Sequence, residues 1–194
     1  LWVGWFGFNG GSALAANGDA AMAMLVTHIS AAAGSLAWMA MEWKKFGKPS
    51  ALGIATGMVA GLGTITPASG FVSPAAALVI GLSAGVICFY MVIFVKHKLK
   101  IDDSLDVFPV HGIGGILGTL LAGVFASTEL GLFSGYGFAK PEYTMLDQLG
   151  VQALGVVATF VYTALVTWVL LKLIGLFAPL RVTGDEETQG LDIA

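Results

Sequence analysis

Long apolar runs, broken by short polar stretches that carry clustered lysines, constrain this chain more than any other feature. Lys44, Lys45 and Lys48 follow one run, and Lys96, Lys98 and Lys100 follow another. A helix needs roughly 20 apolar residues to cross the hydrocarbon of a bilayer. Several runs here reach that length, so the chain is expected to be all-α, a polytopic transmembrane helical bundle. Composition agrees. Charged residues make up 11% of the chain, against about a quarter in a soluble domain, and the mean hydropathy is +0.86. The 27 glycines suit helices that must approach closely in lipid, where small residues at the contact replace a hydrophobic drive.

Six apolar segments are expected as spans, near residues 1–11, 20–43, 51–66, 74–96, 105–126 and 148–177. Asp19 is a plausible N-cap for the second. Pro67 and Gly70 punctuate the turn after the third, which is short. The sixth is long and must tilt or extend beyond the bilayer. Residues 178–194 read as a polar tail. Leu1 opens within an apolar run and no charged leader precedes it. The chain is therefore expected to be part of a longer protein.

Short loops rich in lysine and arginine stay cytoplasmic. If the segments alternate, Lys44, Lys45, Lys48, Lys96, Lys98, Lys100, Lys172 and Arg181 share one side, and Lys140 is alone on the other. The tail is then cytoplasmic, and the loops holding Asn17, Ser69 and Tyr136 face out. The net charge of −3 argues against nucleic acid as a partner. A single cysteine, Cys88, excludes an internal disulfide. No phosphate-binding loop, metal-ligand cluster or nucleophile with a base is visible, so neither an enzyme nor a cofactor is expected.

An ionisable group within a span is costly unless it faces protein or water, which makes function its default reading. His111 has Gly112 and Gly114 beside it and Gly115 and Gly118 at i+4 and i+7. Such a stripe faces a packed helix or a lumen. Spacing alone leaves two readings, a functional imidazole or a core histidine bonded to a carbonyl. His28 lies among Ser30, Ala31, Ala32 and Ser35 and reads as a polar contact to a neighbouring helix. Asp102, Asp103 and Asp106, beside three lysines, read as a solvated loop with helix-capping roles. Trp2 suits an interfacial belt. The stretch from Gly4 to Ser12 mixes rings, glycines and a hydroxyl at the outer end of a span. Ring faces bind cations and a serine oxygen accepts hydrogen bonds, so a small cation such as ammonium fits there.

GWFGFNGGS at 4–12 resembles the sixth span of ammonium transporters of the Amt/Mep/Rh family, and DVFPVHGIGGILG at 106–118 resembles the tenth. ITPASGFV at 65–72 is similar to the family's turn between spans eight and nine, and LRVTGDEETQGLD at 180–192 to its cytoplasmic tail. The order and separations match across nearly the whole chain, and the tail points to the bacterial Amt branch rather than the Rh branch.

The resemblance implies an eleven-span helical fold with two inverted five-span repeats. This chain would hold the second repeat and the final span. It implies a homotrimer in the inner membrane with one pore per subunit. It further implies that His111 is the second of a pore histidine pair, whose first member precedes Leu1. Trp5 and Phe8 would belong to the outer vestibule and gate, Ser12 would help recruit ammonium, and Asp106 would lie near the inner mouth. Pro109 stands where the family often has a small residue. The implied activity is recruitment and deprotonation of ammonium, with ammonia crossing an apolar lumen. The implied cytoplasmic partner is a PII-type signalling protein. An ammonium sensor on the same fold is the alternative; a purely structural membrane module sits poorly with the ordered pore motifs.

Overall fold

The computed structural model describes residues 1–192, so the last two residues of the expected tail lie outside it. Every regular element among the described residues is helical. Helix α1 is Trp2–Gly11, α2 Gly18–Phe46, α3 Ala51–Ile65, α4 Pro74–Ile93, α5 Gly114–Phe125, α6 Met145–Ile174 and α7 Gly184–Gln189. A π-helical segment, Phe94–Lys98, continues α4, and another, Phe108–Ile113, leads into α5. With these continuations, four helices are long and apolar enough to cross a membrane: those at Gly18–Phe46, Pro74–Lys98, Phe108–Phe125 and Met145–Ile174. Helix α3, at 15 residues, rises only about 22 Å.

Local chemistry explains the boundaries. Asn17, rather than the expected Asp19, caps α2: its Oδ1 accepts from the Ala20 amide at 3.1 Å, and Asp19 occupies the first turn. Both are good capping types, but the chain is extended at residue 17, which is where a cap must sit. At the other end Gly47 adopts φ +76 and stops α2, a conformation open to glycine at little cost. Ser50 caps α3 through the Gly53 amide and donates to Glu42, whose carboxylate also accepts the Ser50 amide at 2.6 Å. Ser73 caps α4, with Pro74 in the first turn, where its missing N–H costs no helical bond.

The chain divides into two compact units, Leu1–Ala153 and Leu154–Ala194. In the first, α2, α3 and α4 pack mutually, α1 lies on α2, and α5 lies on α3. The three central helices approach through glycine. A Cβ on Gly34 would lie 2.5 Å from the Gly57 carbonyl oxygen, and one on Gly85 2.6 Å from the Gly34 carbonyl oxygen. Ser30, fully buried, donates across the contact to the Gly61 carbonyl at 2.9 Å. One apolar cluster joins Val26, Ile65, Val72, Ala76 and Ile80; another joins Trp38, Ala60, Cys88, Phe89 and Val110.

In the second unit, the remainder of α6 is apolar on all sides, with Phe160, Leu165 and Trp168 exposed. A helix of that kind belongs in lipid or against protein. Helix α7 opens on a capping box. Thr183 donates its amide and its hydroxyl to Glu186, both at 2.8 Å, and these bonds hold the Glu186 carboxyl below its usual range.

Candidate functional site

Helix α1 presents two faces with different partners. One meets α2: Trp2 and Phe6, four residues apart, rest on the His28 ring at centroid distances of 5.1 and 6.0 Å. Buried Asn9 donates to Thr27 at 2.9 Å, and Thr27 donates on to the Ala23 carbonyl. His28 therefore contacts the aromatic rings of a neighbouring helix.

The other face carries Trp5, Phe8 and Ser12, spaced i, i+3, i+7 and so aligned along the helix. The rings of Trp5 and Phe8 meet edge to face at 6.0 Å. The Trp5 indole donates to the Thr66 hydroxyl at 2.8 Å, and Thr66 donates to the Leu62 carbonyl at 2.8 Å. Phe8 is 59% exposed, so its ring is free to line an opening. Ser12 donates its hydroxyl proton to the Phe8 carbonyl at 2.7 Å. What it offers outward is a lone pair.

His111 lies in the π-helical segment Phe108–Ile113 and is exposed; its carbonyl accepts the Gly114 amide, and its ring makes no hydrogen bond among the described residues. Its ring borders α3: a Cβ on Gly63 would lie 4.0 Å from His111 Nδ1. Gly63 and Thr66 are three residues apart on one side of the same turn. His111 and Trp5 therefore reach the same turn of α3, one over its glycine and one through its threonine. Of the two readings that spacing left open for His111, a carbonyl bond to the ring is not present among the described residues. The expected glycine stripe also divides. Gly115 faces open space, whereas Gly114 and Gly118 press on Thr64 of α3. Gly115 and Gly118 both lie within α5, about 60° apart around a helix of 3.6 residues per turn, and of the two only Gly118 falls on the side that meets α3.

Asp106 is not solvated as the sequence suggested. It forms an ion pair with Lys96 at 2.7 Å, with side-chain exposures of 18% for Asp106 and 33% for Lys96. Its neighbour Asp103 does cap, accepting the amides of Val107 and Phe108 at 2.9 Å each. A cavity of about 450 Å³ lies elsewhere in this unit, among Asp19, Phe71, Tyr136 and Gln148, and none of the expected site residues lines it.

Sequence reasoning missed Thr66, Asn9, Thr27 and Lys96. Thr66 sits inside the ITPASGFV motif, but nothing in its spacing names Trp5 as its partner. Lys96 is one of three alternate lysines and differs from the other two only through the turn of the π-helical segment.

Comparison with known proteins identifies the pattern. A family profile described as Ammonium Transporter Family matches residues 1–194. The chain is 50% identical to a putative ammonium transporter of Methanothermobacter thermautotrophicus, covering all of this chain and 47% of that protein. It is 46% identical to ammonium transporter Amt1 of Archaeoglobus fulgidus, covering all of this chain and 48% of that one. Among solved structures, one titled Sensor Amt Protein superposes with a TM-score of 0.89 at 34% identity, over all of this chain and 46% of its own. The chain thus spans about half the length of the relatives it matches.

Proposed function

Because this chain belongs to the ammonium transporter family, we propose that the protein moves ammonium across a membrane in the form of ammonia. The observation that carries this reading is the convergence of Trp5 and an unpaired His111 on one turn of α3. On this reading the aromatic face and the imidazole would line one path.

The chemistry runs from the outside inward. Ammonium has four donors and no acceptor. Ser12, with its proton committed to Phe8, presents an acceptor, and the Trp5 and Phe8 rings present faces that attract a cation. Carrying that charge on into an apolar lumen costs far more than carrying the neutral molecule. Ammonium therefore gives a proton to water at the site or to the histidine relay beyond it, and potassium has none to give, which gives selectivity. Neutral ammonia then passes His111, whose ring nitrogens can donate or accept. A second histidine, supplied by a part of the protein outside this chain, would complete a proton relay. Asp106 lies beyond His111, toward the inner mouth.

The full protein would be a homotrimer in the inner membrane with a cytoplasmic C-terminus. The lysine-bearing loops near Lys48 and Lys98, with the tail, would form a docking surface for a PII-type protein. The decisive experiment is His111→Ala in reconstituted full-length protein. Ammonium-dependent current is expected to change, and potassium permeability to rise if the widened lumen admits water. Retention of both rate and selectivity would return His111 to a packing role.

A further inference from the structure

From the contact between Lys96 and Asp106 we infer that Lys96 is a positioning residue for His111, acting through Asp106; this rests on the reading of His111 as a pore residue. Three observations on the π-helical segment Phe108–Ile113 lead there. First, the segment is irregular and needs support. π-helical turns are rare inside α-helices, and Pro109 within this one has no N–H to donate. Second, the residue at which it is anchored is strained. Asp106 has φ +57, a left-handed conformation that few side chains adopt, aspartate among the readier ones. The Asp106 carbonyl nevertheless accepts the Val110 amide at 3.0 Å, so this strained residue sets the path of the backbone immediately before His111.

Third, Asp106 is held from the side. Lys96 lies in the other π-helical segment, Phe94–Lys98, at the end of α4, and its Nζ is 2.7 Å from Asp106 Oδ1. Both side chains are partly withdrawn from solvent, where an ion pair is less screened than at the surface. The chain between them turns at Lys100, also left-handed at φ +53, and at Asp103, whose carboxylate clamps the amides of Val107 and Phe108. Asp103 thus fixes the local turn, and Lys96 fixes that turn to α4. Val110, next to His111, packs in the apolar cluster that contains Cys88 and Phe89 of α4. Lys96 and Val110 are two attachments of one segment to one helix, and His111 sits one residue past the second. Loss of the first leaves the segment free to relax toward an α-helical turn, which would rotate His111 away from Gly63.

The test uses full-length protein in proteoliposomes and a measurement independent of transport. Lys96→Met keeps the aliphatic stem and removes the charge; Lys96→Arg keeps the charge. The Met variant is expected to lower maximal ammonium-dependent current by up to about fivefold, on the scale of a partly exposed ion pair, with little change in the half-saturating concentration. The Arg variant should restore most of that current. Combining Lys96→Met with Asp106→Asn should cost no more than the worse single change, as expected of a coupled pair. Hydrogen exchange of the amides of residues 107–113 should quicken in Lys96→Met and Asp106→Asn, with exchange in α3 unchanged. If exchange is unaltered in both variants, or arginine rescues nothing, or the two losses multiply, Lys96 is not a positioning residue. If the wild type carries no ammonium current at all, the transport reading fails instead, and exchange alone still decides the role of Lys96.

Discussion

Ser12 has one hydroxyl proton, and the carbonyl of Phe8 takes it. That commitment turns a group able to donate or accept into an acceptor only, which discriminates between ligands. An ammonium ion meets a matching partner; a ligand that needs a donor does not. Ser12→Ala removes the acceptor without disturbing α1, because the hydroxyl is exposed and its bond is local. The expected loss is a net hydrogen bond, about 1 kcal/mol, or close to fivefold in the half-saturating ammonium concentration. Current measured against ammonium concentration in the reconstituted full-length protein reads this directly. An unchanged half-saturation point would remove Ser12 from the recruitment site. Rings and hydroxyl were visible in the sequence at this scale because GWFGFNGGS is an unusual mixture for a span. The partner Thr66 was not, because one threonine at a helix end has many local uses and only the three-dimensional contact selects one.

Helices in this chain are easier to read than the distortions within them. Each apolar run forms its helix because the backbone there has no solvent to bond to and must bond to itself. The helical stretches Gly18–Phe46, Ala51–Ile65, Pro74–Lys98, Phe108–Phe125 and Met145–Ile174 overlie the apolar runs once the π-helical continuations are counted. The two π-helical segments left no comparable trace. They depend on what packs beside them, and hydropathy at residues 94–98 and 108–113 fits an α-helix equally well. The His111–Gly115–Gly118 stripe, drawn on one face, is split in the structure between open space and Thr64, because Gly115 and Gly118 stand about 60° apart around α5 and only Gly118 of the two meets α3. Glycine was legible in kind but not in place: the composition announced close packing, while only the fold shows that Gly34 faces Gly57 and Gly61. Gly34→Val tests that contact. Its Cβ would come 2.5 Å from the Gly57 carbonyl oxygen and 3.0 Å from Gly61 Cα, backbone atoms that cannot turn aside. Overpacking of this kind costs about 1–3 kcal/mol, and backbone obstruction puts the case at the upper end. The melting temperature of the detergent-solubilised protein should fall markedly; an unshifted value would mean that α2 and α3 are less closely held.

At the scale of the molecule, the distribution of lysines predicts sidedness, and the packing of the first unit is consistent with it. Lys45 lies 5.8 Å from the Tyr90 ring centroid, and the rings of Phe46 and Phe89 are 6.1 Å apart. The lysine-bearing end of α2 is thus beside the end of α4, from which Lys96 and Lys98 follow. At the opposite end, the Tyr136 amide donates to the Phe71 carbonyl at 3.1 Å, and the Gly135 amide to the Ser127 carbonyl at 2.8 Å. That draws the turn after α3 together with the loop that carries Lys140. Two basic clusters therefore share one end of the unit, and the lone lysine of the connecting loops lies on the loop at the other. Loops with several lysines are retained in the cytoplasm during insertion, so residues 44–48 and 96–100 should be inside and residue 140 outside. For the tail beyond Arg181 the same side follows from charge alone. Cysteine labelling in intact cells distinguishes the two arrangements. Cys88, the one cysteine here, is fully buried, so among these residues the background from an impermeant reagent is low. Lys140→Cys should label from outside, and Lys98→Cys only after the membrane is permeabilised. Labelling of position 98 in sealed cells would invert the topology and place the proposed PII surface on the wrong side of the membrane.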